Sequence, residues 1–312
     1  MRLRPLLVAG LVLLASCEAA PVPAPVPVAL PAPSPPSRPE PAPAPPPGPS
    51  GPSAESEALR LYYRRLQADL LSRGLLRGDG GGPDTPFTDT MLARNFVSIA
   101  LFDEYGAGGG PAESRLRRWE GPVRMQVEVG ASVPPAQAAA DRAAIAAYGE
   151  RLSRLTGVPV SQVTEGGNFH VAILDEDERE GFEARLRELV PGIADASVRS
   201  FLSLPRSTLC LVIAFGDERG YERAVALVRA EHPERLRTAC IHEELAQGMG
   251  LANDSPRARP SIFNDDEEFG LLTRHDELLL RMLYDERMRP GMTVEEAEPV
   301  ARALAAELLA EN

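Results

Sequence analysis

The densest run of chemistry-bearing side chains is Cys240-Ile-His-Glu-Glu-Leu-Ala-Gln-Gly-Met-Gly-Leu-Ala-Asn-Asp254. His242, Glu243, Glu244, Gln247, Asn253 and Asp254 all carry atoms that can hold a cation or move a proton. His242-Glu243 would open an H-E-x-x-H zinc motif, with imidazoles at i and i+4 on one helical face and a carboxylate between them as general base. Position 246 is alanine, so that frame lacks its second ligand. One residue on, Glu243 and Gln247 take the ligand positions and Glu244 that of the base. A Glu carboxylate with Gln and Asn carbonyls is a hard oxygen set, suited to Ca, Mg or Mn more than to Zn. One charged ligand binds weakly, so the expected cofactor is none or a weakly bound divalent cation. Without a metal to bring the pKa of bound water toward about 7, Glu244 loses its hydrolytic partner.

Other residues offer less specific chemistry. Asn264-Asp-Asp-Glu-Glu268 is an acidic run between two phenylalanines. Asp265 and Asp266, with Asp254, are a candidate cation site; the alternative is a solvated loop, since EF-hand spacing and its glycine are missing. Cys210 and Cys240 suggest a disulfide in an oxidising compartment, with two buried free thiols as the alternative. Without C-x-x-C spacing, metal ligation by this pair is not expected. His170, in a strand, and His275, in the first turn of a helix, read as structural or exposed. His232, before Pro233, reads as a helix cap.

A helix is expected at Glu57 to Arg77 from an apolar stripe at helical spacing, a short helix and then a connection in the apolar stretch Met91 to Tyr105, and another helix over the alanine-rich Ala136 to Leu155. Shorter ones are expected at Arg179 to Leu189, Tyr221 to Arg229 and Pro233 to Met249. Strict alternation over Val123 to Val129 predicts a half-buried strand. Asn168 to Leu174 and Leu209 to Phe215 are two more strands. Thr273 with Asp276, and Thr293 with Glu296, are capping boxes opening the last helices, the second of which Pro299 should break early. The order gives an α+β domain with a mixed sheet and a helical C-terminal part. The glycine run 106–110 lacks the lysine of a P-loop and reads as a flexible loop.

The 240–254 segment resembles the metzincin pattern H-E-x-x-H-x-x-G-x-x-H-D. Glu243 stands at the first ligand position, Glu244 at the general base, Gln247 at the second ligand, Gly250 at the turn glycine, and Asn253-Asp254 at the last two. Every histidine of the pattern is replaced. Ser261-Ile262-Phe263 resembles the Met-turn with Phe in place of Met, and Arg118-Trp119 leading into Val123 is similar to the upper half of such domains. The resemblance implies a zincin-like (metzincin-like) fold whose metal ligands, if any, are Glu243, Gln247 and Asn253 or His242. The stretches 240–247, 253–255, 260–269 and 272–276 also resemble an uncharacterised family of bacterial envelope proteins, which implies a zincin-like fold and carries no established activity.

Arg2 and Arg4 precede an apolar run of about ten residues, too short to span a bilayer core of roughly 30 Å. It ends in Leu14-Ala15-Ser16-Cys17, which resembles a lipobox and implies lipidation of Cys17; the alternative is plain secretion with cleavage near Ala20. Glu18, by resemblance to the lipoprotein sorting rule, implies the outer membrane, on the periplasmic face. Sixteen of the 31 prolines lie between Pro21 and Pro52, so residues 17–54 read as an extended tether and 55–312 as one domain. Residues 1–16 are the signal; their loss removes Arg2 and Arg4 and moves the net charge from −12 to −14. An acidic chain without a basic block argues against nucleic acid as a partner. The expected partners are the membrane, through Cys17, and an envelope protein or peptide. The function expected is binding by a catalytically degenerate domain. A metal-dependent hydrolase using Glu244 and a structural envelope module are the alternatives.

Overall fold

The computed structural model describes residues 51–103, 112–217, 219–264 and 266–311. Cys17, the signal, the tether before Gly51, the glycine run 106–110 and Asp265 lie outside the described residues. The alternating Val123–Val129 (β3) buries Val123, Met125 and Val127 and leaves the residues between them more exposed. Phe169–Leu174 (β5) is buried at every position. With Val160–Val163 (β4), Cys210–Asp217 (β6) and Gly220–Arg229 (β7) they form one sheet in the order β4-β3-β5-β7-β6. All pairs are parallel except β6, which runs antiparallel to β7. The mixed sheet of the α+β reading is therefore present. Phe102–Asp103 (β1) and Ala112–Glu113 (β2) form a separate short ladder.

The segment 221–229, expected as a helix, is instead β7. Ala224 to Val228 are wholly buried, because helices cover both sheet faces there. Such a strand shows no alternation, and periodicity cannot tell it from a buried helix. On one face, Pro135–Thr156 (α3) and Glu234–Gln247 (α7) bring Ile145, Tyr148, Leu152, Ile241 and Leu245 into the main core. On the other lie Glu176–Arg179 (α4), Glu183–Leu189 (α5) and Asp195–Leu202 (α6). A 3-10 turn over Glu180–Phe182 divides what was expected as one helix from Arg179 to Leu189. Leu186, Val198 and Phe201 pack there with Ala172, Val225 and Leu227.

Asp89–Ala100 (α2), Arg274–Leu283 (α8) and Val294–Ala310 (α9) extend the core beyond the sheet. Both expected capping boxes are formed. Pro299 does not stop α9. It lies early in the helix, and Ala301, Leu304, Ala305 and Leu308 beyond it are buried, so packing outweighs the lost hydrogen bond. The first helix, Ala54–Ser72 (α1), starts before the expected Glu57 because Ser53 accepts from the Ser56 N–H. It ends before the expected Arg77, and Gly74 follows with φ of +76°. No described helix is long and apolar enough to cross a membrane.

Candidate functional site

Helical spacing puts Cys240, Glu243, Glu244 and Gln247 on one side of α7, at i, i+3, i+4 and i+7. That side meets the beginning of β6. Cys210 at the start of β6 is joined to Cys240 by a disulfide, with the two Cα atoms 5.8 Å apart. The expected pairing of the cysteines is thus present. Glu243, Glu244, Gln247 and Asp254 line a narrow cleft of about 160 Å³ with Ser207, Thr208 and Glu267. Glu244 and Gln247 are almost fully buried. The Gln247 amide donates to Asp254 Oδ1 at 3.4 Å. Cys210 Sγ and a carboxylate oxygen from each of Glu243 and Glu244 lie within 4.8 Å of one another. As a disulfide sulfur, Cys210 is no thiolate ligand in this state.

The exit of α7 is tightly held. A Cβ on Gly248 would lie 2.4 Å from the Phe169 ring, so this turn sits directly on β5. Gly250 has φ of +121°, and a Cβ there would lie 2.4 Å from the Arg117 carbonyl oxygen. Trp119 Nε1 donates to the Gly248 carbonyl at 2.8 Å and the Tyr284 hydroxyl to the Met249 carbonyl at 2.8 Å. The chain then returns to α2. The Asn253 N–H donates to Ile99 O at 3.1 Å and its side-chain amide to Ser98 O at 2.8 Å.

His242 faces elsewhere. Its Nδ1 accepts the Leu272 N–H at 3.1 Å, and its ring stacks on Tyr148 with centroids 4.0 Å apart. Burial, then the Arg151 charge, pushes its pKa down from 6.5 to about 3. His232 does not cap α7; its Nδ1 lies 3.7 Å from Cys240 Sγ, and no side chain caps the helix at Pro233. Burial, then Arg229 and Arg237, takes its pKa down to about 3. His275 is fully buried, with Nε2 3.1 Å from the Asn95 amide. His170 bridges Glu128 and the Gly167 carbonyl.

The cleft adjoins a groove of about 750 Å³ that shares Thr208, Leu211 and Gln247 with it. Leu211 to Ala214 of β6, Ser197, Arg199 and Ser200 of α6, and Arg117, Tyr221 and Ala252 line it. Arg117 pairs with Asp103 and stands 5.8 Å over the Tyr221 ring.

A family model described as a protein of unknown function (DUF2927) matches residues 89–303. The chain belongs to this family. No curated protein and no solved structure matches the chain. The DUF2927 region runs from the first residue of α2 into α9 and contains Glu243, Glu244, Gln247, Asn253 and Asp254.

Within that region the structure places Glu243, Glu244, Gln247 and Asp254 along one cleft. Asn253 and His242 point into other contacts. Asp266 does not line the cleft, and its Oδ1 accepts the Glu268 N–H at 2.8 Å. Arg117, Arg199 and Tyr221, which line the groove, were not anticipated. Their elements are far apart in sequence, and only the order of strands brings them together. The one sequence cue was Leu209 to Phe215, an apolar strand without a charge.

Proposed function

We propose that this is a lipid-anchored envelope domain of zincin-like descent that binds an extended polypeptide along β6 and does not cleave it. The observation that carries the binding reading is the edge of β6. It is the last strand of its sheet, and its residues Leu211 to Ala214 line a groove. Sheet edges are normally blunted by charges, prolines or covering elements. From Cys210 to Gly216 there is neither charge nor proline. Leu211 to Phe215 are half-buried, whereas the neighbouring Ala224 to Val228 are fully covered. An uncharged edge strand that lines a groove suits strand addition. Main-chain hydrogen bonds would give affinity, and alternate side chains would meet the other residues that line the groove.

The zincin-like descent is supported by the spacing from Glu243 to Asp254 across the end of α7 and the tight glycine turn at Gly250. The loss of catalysis is supported by the chemistry of that helix. His242, the nearest histidine in sequence, is engaged by a backbone N–H and a tyrosine ring. Gln247 and Asp254 hydrogen-bond each other. One feature favours the hydrolase alternative: Glu243, Glu244, Gln247 and Asp254 share one cleft, an oxygen set that fits a Ca, Mg or Mn ion.

The test uses capped hexapeptides with apolar residues at alternate positions, followed by hydrogen exchange and mass spectrometry. Binding should slow exchange in residues 210–216, leave the peptide intact, and persist in Glu244→Ala. Unchanged exchange at saturating peptide would remove the binding reading. Cleavage that disappears in Glu244→Ala would establish the hydrolase instead. Mass spectrometry of the mature N-terminus tests the anchor, which requires a lipid on Cys17.

A further inference from the structure

Cys210 and Cys240 lack the short spacing of a metal motif in sequence, but the fold supplies a different one. Cys240, Glu243 and Glu244 occupy i, i+3 and i+4 of α7, so one helical face presents a sulfur and two carboxylates. The beginning of β6 adds Cys210. Its Sγ and the two carboxylates already fall within 4.8 Å of one another, whereas ligand atoms around one tetrahedral zinc stand about 3.5 Å apart. Cys240 Sγ, bonded to Cys210 Sγ in the disulfide, is the fourth donor, and reduction frees it to turn toward the same point. His232 Nδ1, 3.7 Å from Cys240 Sγ, is placed to orient that sulfur from outside the set.

We propose that reduction of the Cys210–Cys240 disulfide turns this end of the cleft into a binding site for a thiophilic divalent metal such as zinc, held by Cys210, Cys240, Glu243 and Glu244. A dithiol reductant supplies two electrons and two protons, breaks the S–S bond and leaves as its own disulfide. The two thiols then release their protons as the metal binds. Two thiolates make the set soft enough for zinc, unlike the all-oxygen set of the helix alone. In the oxidised protein both sulfurs are committed to each other and the site does not exist. The inference goes beyond the proposed polypeptide binding and does not depend on it.

The experiment titrates Co²⁺ and Zn²⁺ into the full chain, oxidised and after anaerobic reduction with a phosphine, which leaves no competing thiol. The reduced protein should bind one Co²⁺ with a thiolate-to-metal charge-transfer absorption that Zn²⁺ displaces; the oxidised protein should show none. Glu243→Gln with Glu244→Gln keeps both thiols and should weaken Zn²⁺ binding by about tenfold or more. Far-UV circular dichroism of the reduced protein should stay native-like. Absence of a charge-transfer band in the reduced protein would overturn the proposal. So would equal Zn²⁺ affinity in the double variant, which is the behaviour of two thiols in an unfolded chain.

Discussion

His242 shows why residue type and spacing alone mislead. It heads an incomplete zinc motif, yet its Nδ1 is spent on the Leu272 N–H and its ring on Tyr148. Its pKa falls from 6.5 to about 3, so the unfolded chain binds a proton more readily than the native one. Stability from the neutral ring is therefore complete above about pH 6.5 and is lost as pH falls toward 3. His232 acts with the same sign over the same window. His242→Gln, which keeps an acceptor for Leu272 but does not titrate, should flatten the fall of the melting temperature between pH 6.5 and 4.5. Most paired carboxylates add their own acid sensitivity only below that range. An unchanged slope would mean that His242 is solvated and chargeable. Gly250 answers to sterics instead. Its φ of +121° and the Arg117 carbonyl 2.4 Å from a would-be Cβ leave no room for a side chain. Gly250→Ala should cost about 1–3 kcal/mol in urea unfolding and loosen the exit of α7 that carries Gln247.

At the scale of elements, sequence was informative wherever one face is wet. β3 has the expected bounds because its alternation records one buried and one exposed face. The capping boxes of α8 and α9 were legible because hydroxyl and carboxylate must stand three residues apart. β7 was not legible, since a strand covered on both faces carries no period to separate it from a buried helix, although β5, buried at every position, was expected as a strand. β4 and α6 were too short to impose one. The site was legible as a helix face, Glu243 to Gln247, but its opposing wall was not, because the β6 edge exists only once β7 lies between it and β5. Asp276 shows how a local signal can hide a tertiary role. It is the expected partner of Thr273 in the α8 capping box, and it is also fully buried. Its carboxylate accepts from Ser261 Oγ at 2.5 Å and from the Ile262 N–H at 3.1 Å. It thereby ties α8 to the segment from Ser261 to Phe263. Asp276→Ala leaves several buried donors without an acceptor and should cost about 3 kcal/mol or more by urea denaturation. Asp276→Asn, which keeps one acceptor, should cost less. Equal losses in the two would show that the charge rather than the acceptor count matters.

For the whole molecule, the boundary of the family region and the boundary of the folded unit differ. The family match begins at Asp89, but α1 lies before it and is built into the core. Tyr63 and Leu70 are buried with Leu76, Leu236 and Ala239. Ser56 Oγ donates to Glu231 at 3.1 Å, and Gln67 accepts the Leu236 N–H at 3.1 Å. The last contact matters to the site helix: α7 begins at Pro233 without a side-chain cap, so a residue from another helix satisfies one of its first-turn N–H groups. Tyr63 also closes over His232, with ring centroids 4.4 Å apart, and so screens the disulfide side of α7. A polypeptide starting at Asp89 loses the burial of Tyr63, Leu70 and Leu76, roughly 4.5–9 kcal/mol at 1.5–3 kcal/mol for each large apolar side chain. It also exposes the outer face of α7. Compared with residues 51–312 by urea unfolding, it should show a clearly lower midpoint and faster hydrogen exchange in residues 234–240. Coincident midpoints would make α1 dispensable to the fold. A lower midpoint with protected α7 amides would confine its role to packing. The expected result, both changes together, makes α1 a support of the helix bearing Glu243 and Glu244.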